Sequence, residues 1–401
     1  MFIAKTHQGE CFSVADYHNK DSLRNIRKKE SFYCPECKEE VILKIGMKKM
    51  PHFAHKKGTA CLEGYERESE YHLTGKLKLY EWLQNQGLAP VLEQYHHAIA
   101  QRPDISFVHE GIHYVIEYQC SIIPEELFIK RTRNYFKANI TPIWIIAGKN
   151  IRRQGARRAK LSRFDYLFLR NGRFNQWILP AYCPKTNNLI ILNEIIPITI
   201  QKIITPFTIT SLSNAKLSDL ISPPVSLFNP LREWQTEIRK WKNTVSLYST
   251  PQDKLLKQLY SHSLIPNLLP PYIGLPVPSA PYIETPPVQW QSYLFIDVLM
   301  KQEKISLNEI LSSFRRRIRN QDILLRSVLS AQHQNIELAV KEYIELLVKL
   351  NFLKKITNNH YIRVLPNGIA ENQLEQEKIE SEFYQKFGDI IMKSLRKKLM
   401  E

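Results

Sequence analysis

Residues 66–150 most constrain what this chain can fold into, because helical and strand-like patterns alternate there in a fixed order. Apolar residues recur at helical spacing from about residue 66 to 82, and Pro124-Glu125-Glu126 opens a second helix that runs to about residue 138. Three segments of strand length lie between the helices and a buried strand follows the second one: residues 91–95, 105–108, 113–120 and 142–147. The order helix, three strands, helix, strand predicts an α/β core.

Two acidic residues and a glutamine lie on the predicted strands. Asp104 begins one strand, and Glu117 lies in the apolar run of the next, where an unpaired carboxylate is costly. Gln119 is two residues beyond Glu117 and therefore on the same strand face. Two carboxylates on such a hairpin can share Mg²⁺ or Mn²⁺, which lowers the pKa of a bound water and neutralises charge on a phosphate. We therefore predict a metal-dependent site in which Gln119 orients water; the alternative is that Asp104 only caps a turn.

The first predicted helix carries a stripe of polar residues. Glu68, His72 and Lys76 are four residues apart and therefore share one helix face, from which they can point at the same metal. The alternative is a row of solvent-exposed charges.

A second constellation lies in residues 1–65, a loop-rich segment of short strand-like runs. Cys34-Pro35-Glu36-Cys37 has the two-residue gap that lets both thiolates reach one tetrahedral metal. His52, His55 and Cys61 follow, so five side chains compete for four positions. We predict a structural Zn²⁺ site formed by Cys34, Cys37, His55 and Cys61, with His52 as the substitute; the alternative is unligated thiols and two surface histidines.

Composition sets the class of partner. The 401 residues contain 56 Lys and Arg against 39 Asp and Glu, a formal charge of +17, which favours a polyanion such as nucleic acid or an anionic membrane face. The excess is uneven, because residues 1–150 contain 21 basic and 18 acidic side chains. No apolar run approaches the ~18 residues of a membrane span, and the N-terminus lacks an apolar signal core. We expect a cytoplasmic protein with no membrane span.

The remaining chain separates by composition. Residues 151–265 form a basic mixed α/β region, and the eight prolines between Pro266 and Pro287 predict an extended linker over residues 266–287. Residues 288–401 are mainly helical, and a helix over residues 336–353 precedes a hairpin over residues 354–364. A helix followed by a small hairpin is typical of a winged-helix module.

Basic runs indicate where DNA would bind. The first choice for a non-specific phosphate contact is a segment of six cations without acids: Arg152, Arg153, Arg157, Arg158, Lys160 and Arg163. The second is the run Arg315-Arg316-Arg317-Ile318-Arg319. For either run the alternative is a solvated helix face.

Taken in order, these motifs resemble a known family. The Cys-x-x-Cys and His-Phe-Ala-His module, then Glu68-Ser-x-x-His72 with Lys76, then Arg-Pro-Asp104 and Glu117-x-Gln119, look like the competence protein CoiA family. The resemblance covers residues 1–150 most strongly. It implies a restriction-endonuclease-like core of the PD-(D/E)xK superfamily behind a zinc-knuckle-like module, Mg²⁺-dependent attack on DNA phosphodiesters, and a role in transformation after DNA has entered the cytoplasm.

Carried over to this chain, the resemblance makes Asp104 and Glu117 the magnesium ligands, with Glu68 and His72 completing the site. One position departs from the superfamily, whose usual last residue is a lysine that stabilises the attacking hydroxide. Gln119 stands there instead, and an amide hydrogen-bonds water but supplies no charge.

Two functions from different classes follow. The first is a Mg²⁺-dependent DNA nuclease that processes incoming DNA, single- or double-stranded. The second is a catalytically weak or inactive DNA-binding adaptor that recruits recombination proteins to incoming strands. A third, weaker interpretation is a membrane-surface protein held by its basic tail.

Overall fold

A computed structural model describes residues 1–17, 19–46, 50–56, 69–172, 176–225, 228–250, 252–329, 336–364 and 370–396. The chain divides into two compact units. Unit 1 comprises Met1–Ile151, Leu179–Ile191 and Thr208–Ile221, and unit 2 comprises Arg152–Ile178, Leu192–Phe207 and Ser222–Glu401. Among the described residues, no helix combines the length and the apolar character needed to cross a membrane.

Unit 1 begins with a small antiparallel sheet of order β2-β1-β3-β4-β5. In chain order its elements are β1 Ile3–Thr6, β2 Cys11–Ser13, α1 Lys20–Lys29, β3 Phe32–Tyr33, β4 Glu40–Lys44 and β5 His52–His55. Alternate residues of β4 are buried, Val41 and Leu43, and pack with Phe32 and Phe53 in one small core. The short strands expected in this segment are confirmed.

The predicted α/β core follows in the predicted order. Its elements are α2 Glu70–Asn85, β6 Val91–Leu92, β7 Ile105–His109, β8 Ile112–Gln119, α3 Glu125–Lys137 and β9 Ile140–Ala147. The hairpin between β7 and β8 turns at Glu110 and Gly111, whose φ angles of 51° and 75° suit the right-handed twist of the strands. Helix α3 then crosses over the sheet, so that β9 runs parallel to β8.

The chain from residue 152 to 221 adds strands to both units. These elements are β10 Arg152–Arg153, β11 Arg158–Lys160, β12 Arg170–Asn171, β13 Trp177–Cys183, β14 Asn188–Leu192, β15 Ile196–Pro197, β16 Lys202–Ile204, β17 Phe207–Ser211 and α4 Leu217–Ile221. Strand β13 lies parallel to β9, and the large sheet has the order β17-β14-β13-β9-β8-β7-β6. A separate sheet in unit 2 has the order β10-β11-β16-β15.

The rest of unit 2 is mainly helical. Its elements are α5 Leu231–Tyr248, α6 Lys254–Ser261, α7 Pro287–Leu294, β18 Lys304–Ser306, α8 Leu307–Arg319, α9 Leu338–Lys349, β19 Leu353–Thr357, β20 His360–Arg363 and α10 Gln373–Leu395. The predicted hairpin is confirmed as β19 and β20, and β18 pairs with β20 to form a sheet of three strands. Four fully buried aromatic residues anchor the core of this unit: Trp234, Trp290, Tyr293 and Tyr343.

The proline-rich segment 266–287 differs from the extended linker that its composition predicts. Its apolar side chains, among them Leu269, Ile273 and Leu275, are buried in the core of unit 2. The backbone N–H groups of Gly274 and Leu275 donate to the side-chain oxygen of Gln291. Proline is disfavoured in helix interiors and central strands. It can nevertheless be buried, because it carries no backbone N–H that burial would leave unpaired. The prolines therefore predict irregular backbone, not exposure.

Candidate active site

Asp104 and Glu117 lie side by side on neighbouring strands. Asp104 immediately precedes β7, Glu117 is on β8, and the adjoining residues Ile105 and Ile116 are register partners. Both carboxylates line a cleft of about 630 Å³ in unit 1. The hairpin therefore brings the two predicted acids together as the sequence indicates.

Helix α2 supplies two side chains to Asp104. Nε2 of His72 lies 3.3 Å from Oδ2 of Asp104, and Nζ of Lys76 lies 3.2 Å from Oδ1. The helix can approach β8 this closely because residue 75 is glycine: a Cβ there would lie 2.1 Å from the ring of Tyr118. The backbone N–H of Tyr118 also donates to Oδ2 of Asp104, at 2.9 Å. Asp104 is thus held by three groups in a fixed orientation.

Lys76 is buried between two carboxylates. Its side chain is 1% exposed, and Nζ lies 2.5 Å from Oε1 of Glu93. The other oxygen of Glu93 accepts hydrogen bonds from the backbone N–H groups of Phe2 and Ile3, at 2.8 and 3.1 Å. A buried ion pair needs such additional hydrogen bonds to offset its desolvation. This network ties the N-terminal strand to the acidic site.

The surroundings of Glu117 perturb the pKa of its carboxyl group. Its Oε1 accepts hydrogen bonds from the Arg131 guanidinium, at 2.5 Å, and from the Tyr135 hydroxyl. Burial raises the pKa of Glu117 to about 7, with the Asp104 charge acting in the same direction and Arg131 opposing both. The buried Glu117 and the half-buried Asp104 supply oxygen ligands of the kind that a hard divalent cation prefers. Asp104 and Glu117 could therefore hold such a cation.

Gln119 and Glu68 are the remaining predicted residues of the acidic site. Gln119 lines the same cleft, and its side-chain nitrogen donates to the backbone oxygen of Ser121 at 3.0 Å. Glu68 lies outside the described residues. Two further cations, Lys130 and Lys149, also line the cleft.

A second group of metal-binding side chains lies in the N-terminal sheet. The ligand atoms of Cys34, Cys37 and His55 all lie within 4.8 Å of one another, and the Cys37 sulfur is 3.3 Å from Nε2 of His55. The alternative ligand His52 instead contacts the backbone oxygen of Met50 through Nδ1. Cys61 lies outside the described residues.

The chemistry of this group suits zinc. Burial, together with the charge of Arg102, lowers the pKa of His55, which favours the neutral imidazole that binds metals. Two thiols and an imidazole could form three corners of a tetrahedral metal site, which one further donor would complete.

The six predicted DNA contacts differ in whether they pair with acidic side chains. Arg152 and Arg153 are exposed on β10. Arg157 and Arg158 instead pair with two acids of α5, Glu233 at 3.4 Å and Glu237 at 2.6 Å. The other two predicted contacts are Lys160 on β11 and Arg163, which follows it.

The second basic run is largely engaged within unit 2. Arg315 pairs with Glu337, and both Arg316 and Arg317 contact Asp297. These contacts stabilise the fold around α8, so this run is a weaker DNA-binding candidate than the first.

Two residues that support the acidic site were missed in the sequence. Tyr135 is four residues after Arg131 on α3, so helical spacing could have identified it as a second donor to the same acid. Glu93 has no such signal, because it follows the two-residue strand β6 and meets Lys76 only through the tertiary fold.

Comparisons with known proteins identify the family of the chain. Three family models match consecutive parts of the chain: "Competence protein CoiA, N-terminal domain" at residues 15–63, the "nuclease-like domain" of the same protein at 68–225, and its "C-terminal domain" at 230–377. "Competence protein CoiA" of Bacillus subtilis strain 168 is 30% identical over 346 residues, covering 85% of this chain and 92% of the relative. No solved structure matches the chain. The chain belongs to the competence protein CoiA family.

Proposed function

We propose that this protein is a Mg²⁺-dependent DNA nuclease that processes incoming DNA during natural competence. The observation that carries the proposal is the pair of carboxylates Asp104 and Glu117 on adjacent strands of a cleft within the region matched as nuclease-like. The name of the Bacillus subtilis relative supports the role in competence.

Asp104 and Glu117 would hold the metal, with Glu68 and His72 as the further contributors that the sequence predicts. A bound Mg²⁺ supplies positive charge at the scissile phosphate and lowers the pKa of a coordinated water. Mn²⁺ would serve the same purpose.

The surrounding side chains of the chain orient the two carboxylates. Lys76 and His72 fix Asp104, while Arg131 and Tyr135 fix Glu117, so neither carboxylate must reorganise when the substrate binds. Gln119 would orient the attacking water through its amide.

The cleft also carries charge for the substrate. Lys130 and Lys149 line it and are available to contact phosphate oxygens.

The fold supports a more specific assignment of the two functional regions. The order α2, β7, β8, α3, β9 with acids on the β7–β8 hairpin favours a PD-(D/E)xK-type core. The order β18, α8, α9, β19, β20 favours a winged-helix-like module in the C-terminal region. Under this proposal a zinc-knuckle-like N-terminal module buttresses the catalytic core through Zn²⁺ bound by Cys34, Cys37, His55 and Cys61.

We further propose that the basic residues 152–163 hold DNA while unit 1 cuts it, and that the protein acts in the cytoplasm. The charge distribution supports this division, since residues 1–150 are nearly balanced and the excess of +17 lies mostly in the remainder.

A second candidate function is a DNA-binding adaptor that recruits recombination proteins. One observation favours it: Gln119 replaces the lysine usual in the superfamily, and its amide is hydrogen-bonded to Ser121.

Cleavage of end-labelled single- and double-stranded DNA separates the two functions. We expect the wild type to cut in Mg²⁺ or Mn²⁺ and not in EDTA, and Glu117→Gln to lose this activity. The control is Glu126→Gln, which removes an exposed carboxylate at the start of α3. Absence of cutting by the wild type in either metal, with DNA binding retained, would favour the adaptor.

A further inference from the structure

One buried acid of unit 2 collects three cations from three elements. The Glu237 carboxylate on α5 is only 4% exposed. Its oxygens lie 2.6 Å from the Arg158 guanidinium, 3.5 Å from Nζ of Lys202 and 3.4 Å from Nζ of Lys240. We call Arg158, Lys202, Lys240 and Glu237 the Glu237 pocket.

The two strands that contribute cations present them on one face. Arg158 of β11 is the register partner of Ile204, and Lys160 is the partner of Lys202, so all four residues project to the same side of the β11–β16 pair. Helix α5 contributes Glu237 and, one turn later, Lys240.

The charge count of the pocket is unequal. Three cations surround one carboxylate, which leaves an excess of two positive charges around a polar cavity of about 220 Å³. The side chains of Arg158, Lys202 and Lys240 are 42%, 44% and 60% exposed, so their charged ends remain accessible to an incoming anion.

One cation balances the charge of one carboxylate. The second and third cations gain little from sharing Glu237 at partly exposed positions, and they repel each other. An oxyanion in the cavity would relieve that repulsion, and Arg158 can bind it through two N–H groups.

We propose that the Glu237 pocket binds a phosphate oxyanion through the cations that it holds in excess of its one carboxylate. The phosphate could be part of a DNA backbone or a free phosphate group. We favour the backbone of DNA, a choice that rests on the proposed function, because β10 continues the same sheet with the exposed Arg152 and Arg153.

The test compares the full-length wild type with Lys202→Ala/Lys240→Ala. We expect the double variant to bind a single- or double-stranded oligonucleotide about tenfold more weakly, and the slope of log affinity against log salt to fall by about 2. Lys257→Ala/Lys378→Ala is the matched control, since it removes the same charge from exposed positions of unit 2 outside the pocket. Lys202→Arg/Lys240→Arg keeps the charge and should restore binding.

Inorganic phosphate distinguishes the two sources. If phosphate raises the melting temperature of the wild type but not of the alanine double variant, while DNA affinity is equal in the two, the pocket binds free phosphate and the choice of DNA is wrong. Unchanged DNA affinity, salt slope and phosphate response in the double variant would overturn the proposal. Because neither readout requires cleavage, a failure of nuclease activity would be recognised separately.

Discussion

Two clusters of charged side chains differ in which charge is in excess. Among the described side chains of unit 1, the three carboxylates Glu93, Asp104 and Glu117 form ion pairs with the permanent cations Lys76 and Arg131. In the Glu237 pocket of unit 2, one carboxylate is contacted by three cations. Under the two proposals, the carboxylate-rich contacts of the first cluster would hold a metal ion, and the cation-rich contacts of the second cluster would hold a phosphate. The same residue types would then bind ligands of opposite charge, according to whether acids or cations are more numerous.

Removing metal from the group Cys34, Cys37 and His55 should have the largest effect. This group is separate from the carboxylate cluster. We expect a zinc chelator or Cys34→Ser to unfold the N-terminal module, because structural zinc contributes roughly 10 kcal/mol in small modules. Metal analysis should give about one zinc per chain for the wild type. The control is Cys11→Ser, an exposed cysteine of the same sheet. If the purified protein contains no zinc and its thermal stability is unchanged, zinc is not a structural component of the N-terminal module.

Removing the cation that Asp104 and Glu93 share should have the next largest effect. Lys76→Met leaves Asp104 and Glu93 without their shared cation, and we expect a loss of about 3–5 kcal/mol in the free energy of unfolding, measured in urea. Lys78→Met on the same helix removes only a hydrogen bond to the Pro184 carbonyl and should cost about 1 kcal/mol. Equal losses for the two variants would show that the buried ion pair does not organise the site.

Removing the carboxylate of the Glu237 pocket should increase the net positive charge of the pocket. We expect Glu237→Gln to bind DNA about two to five times more tightly at low salt, since neutralising a partly screened carboxylate is worth about 0.5–1 kcal/mol. Fluorescence anisotropy of a labelled oligonucleotide measures this change. The control is Glu382→Gln, an exposed acid of α10. Weaker binding by the Glu237 variant than by the control would mean that the carboxylate is needed to place the cations, as in a purely structural network.

The smallest effect is expected at the edge of the acidic cleft. Gln119→Ala should lower the cleavage rate by about tenfold or less, because a hydrogen bond that orients water is worth roughly 1 kcal/mol. Gln84→Ala, at an exposed position of α2, is the control. A loss as large as that of Glu117→Gln would make Gln119 a principal catalytic group.

Local patterns predicted the part of the fold that holds the acids. Helix α2, the β7–β8 hairpin, α3 and β9 follow from periodicity within short windows, and the hairpin then makes Asp104 and Glu117 neighbours. The sequence also indicated that His72 and Lys76 share one helix face that can point at the metal site, but it did not predict that both contact Asp104.

Contacts between distant segments were not predictable in this way. Glu93 meets Lys76, and Arg158 meets Lys202 and Lys240 around one acid, only because the tertiary fold brings separate elements together. The burial of the proline-rich segment was not predictable for a related reason: proline restricts the backbone, but its apolar neighbours, such as Leu269 and Ile273, decide whether the segment is buried.

We propose that the Asp104–Glu117 pair performs metal-dependent cleavage without being the main source of DNA affinity. The most direct test measures, for wild type and Asp104→Asn, the single-turnover cleavage rate in Mg²⁺ and the Kd for the same DNA in Ca²⁺. We predict that the rate falls by more than about 100-fold, since even outer partners of metal ligands cost 10–100-fold, while the Kd changes by less than about threefold. If cleavage survives in Asp104→Asn, or if weaker binding fully explains the loss of rate, the Asp104–Glu117 pair does not perform the cleavage.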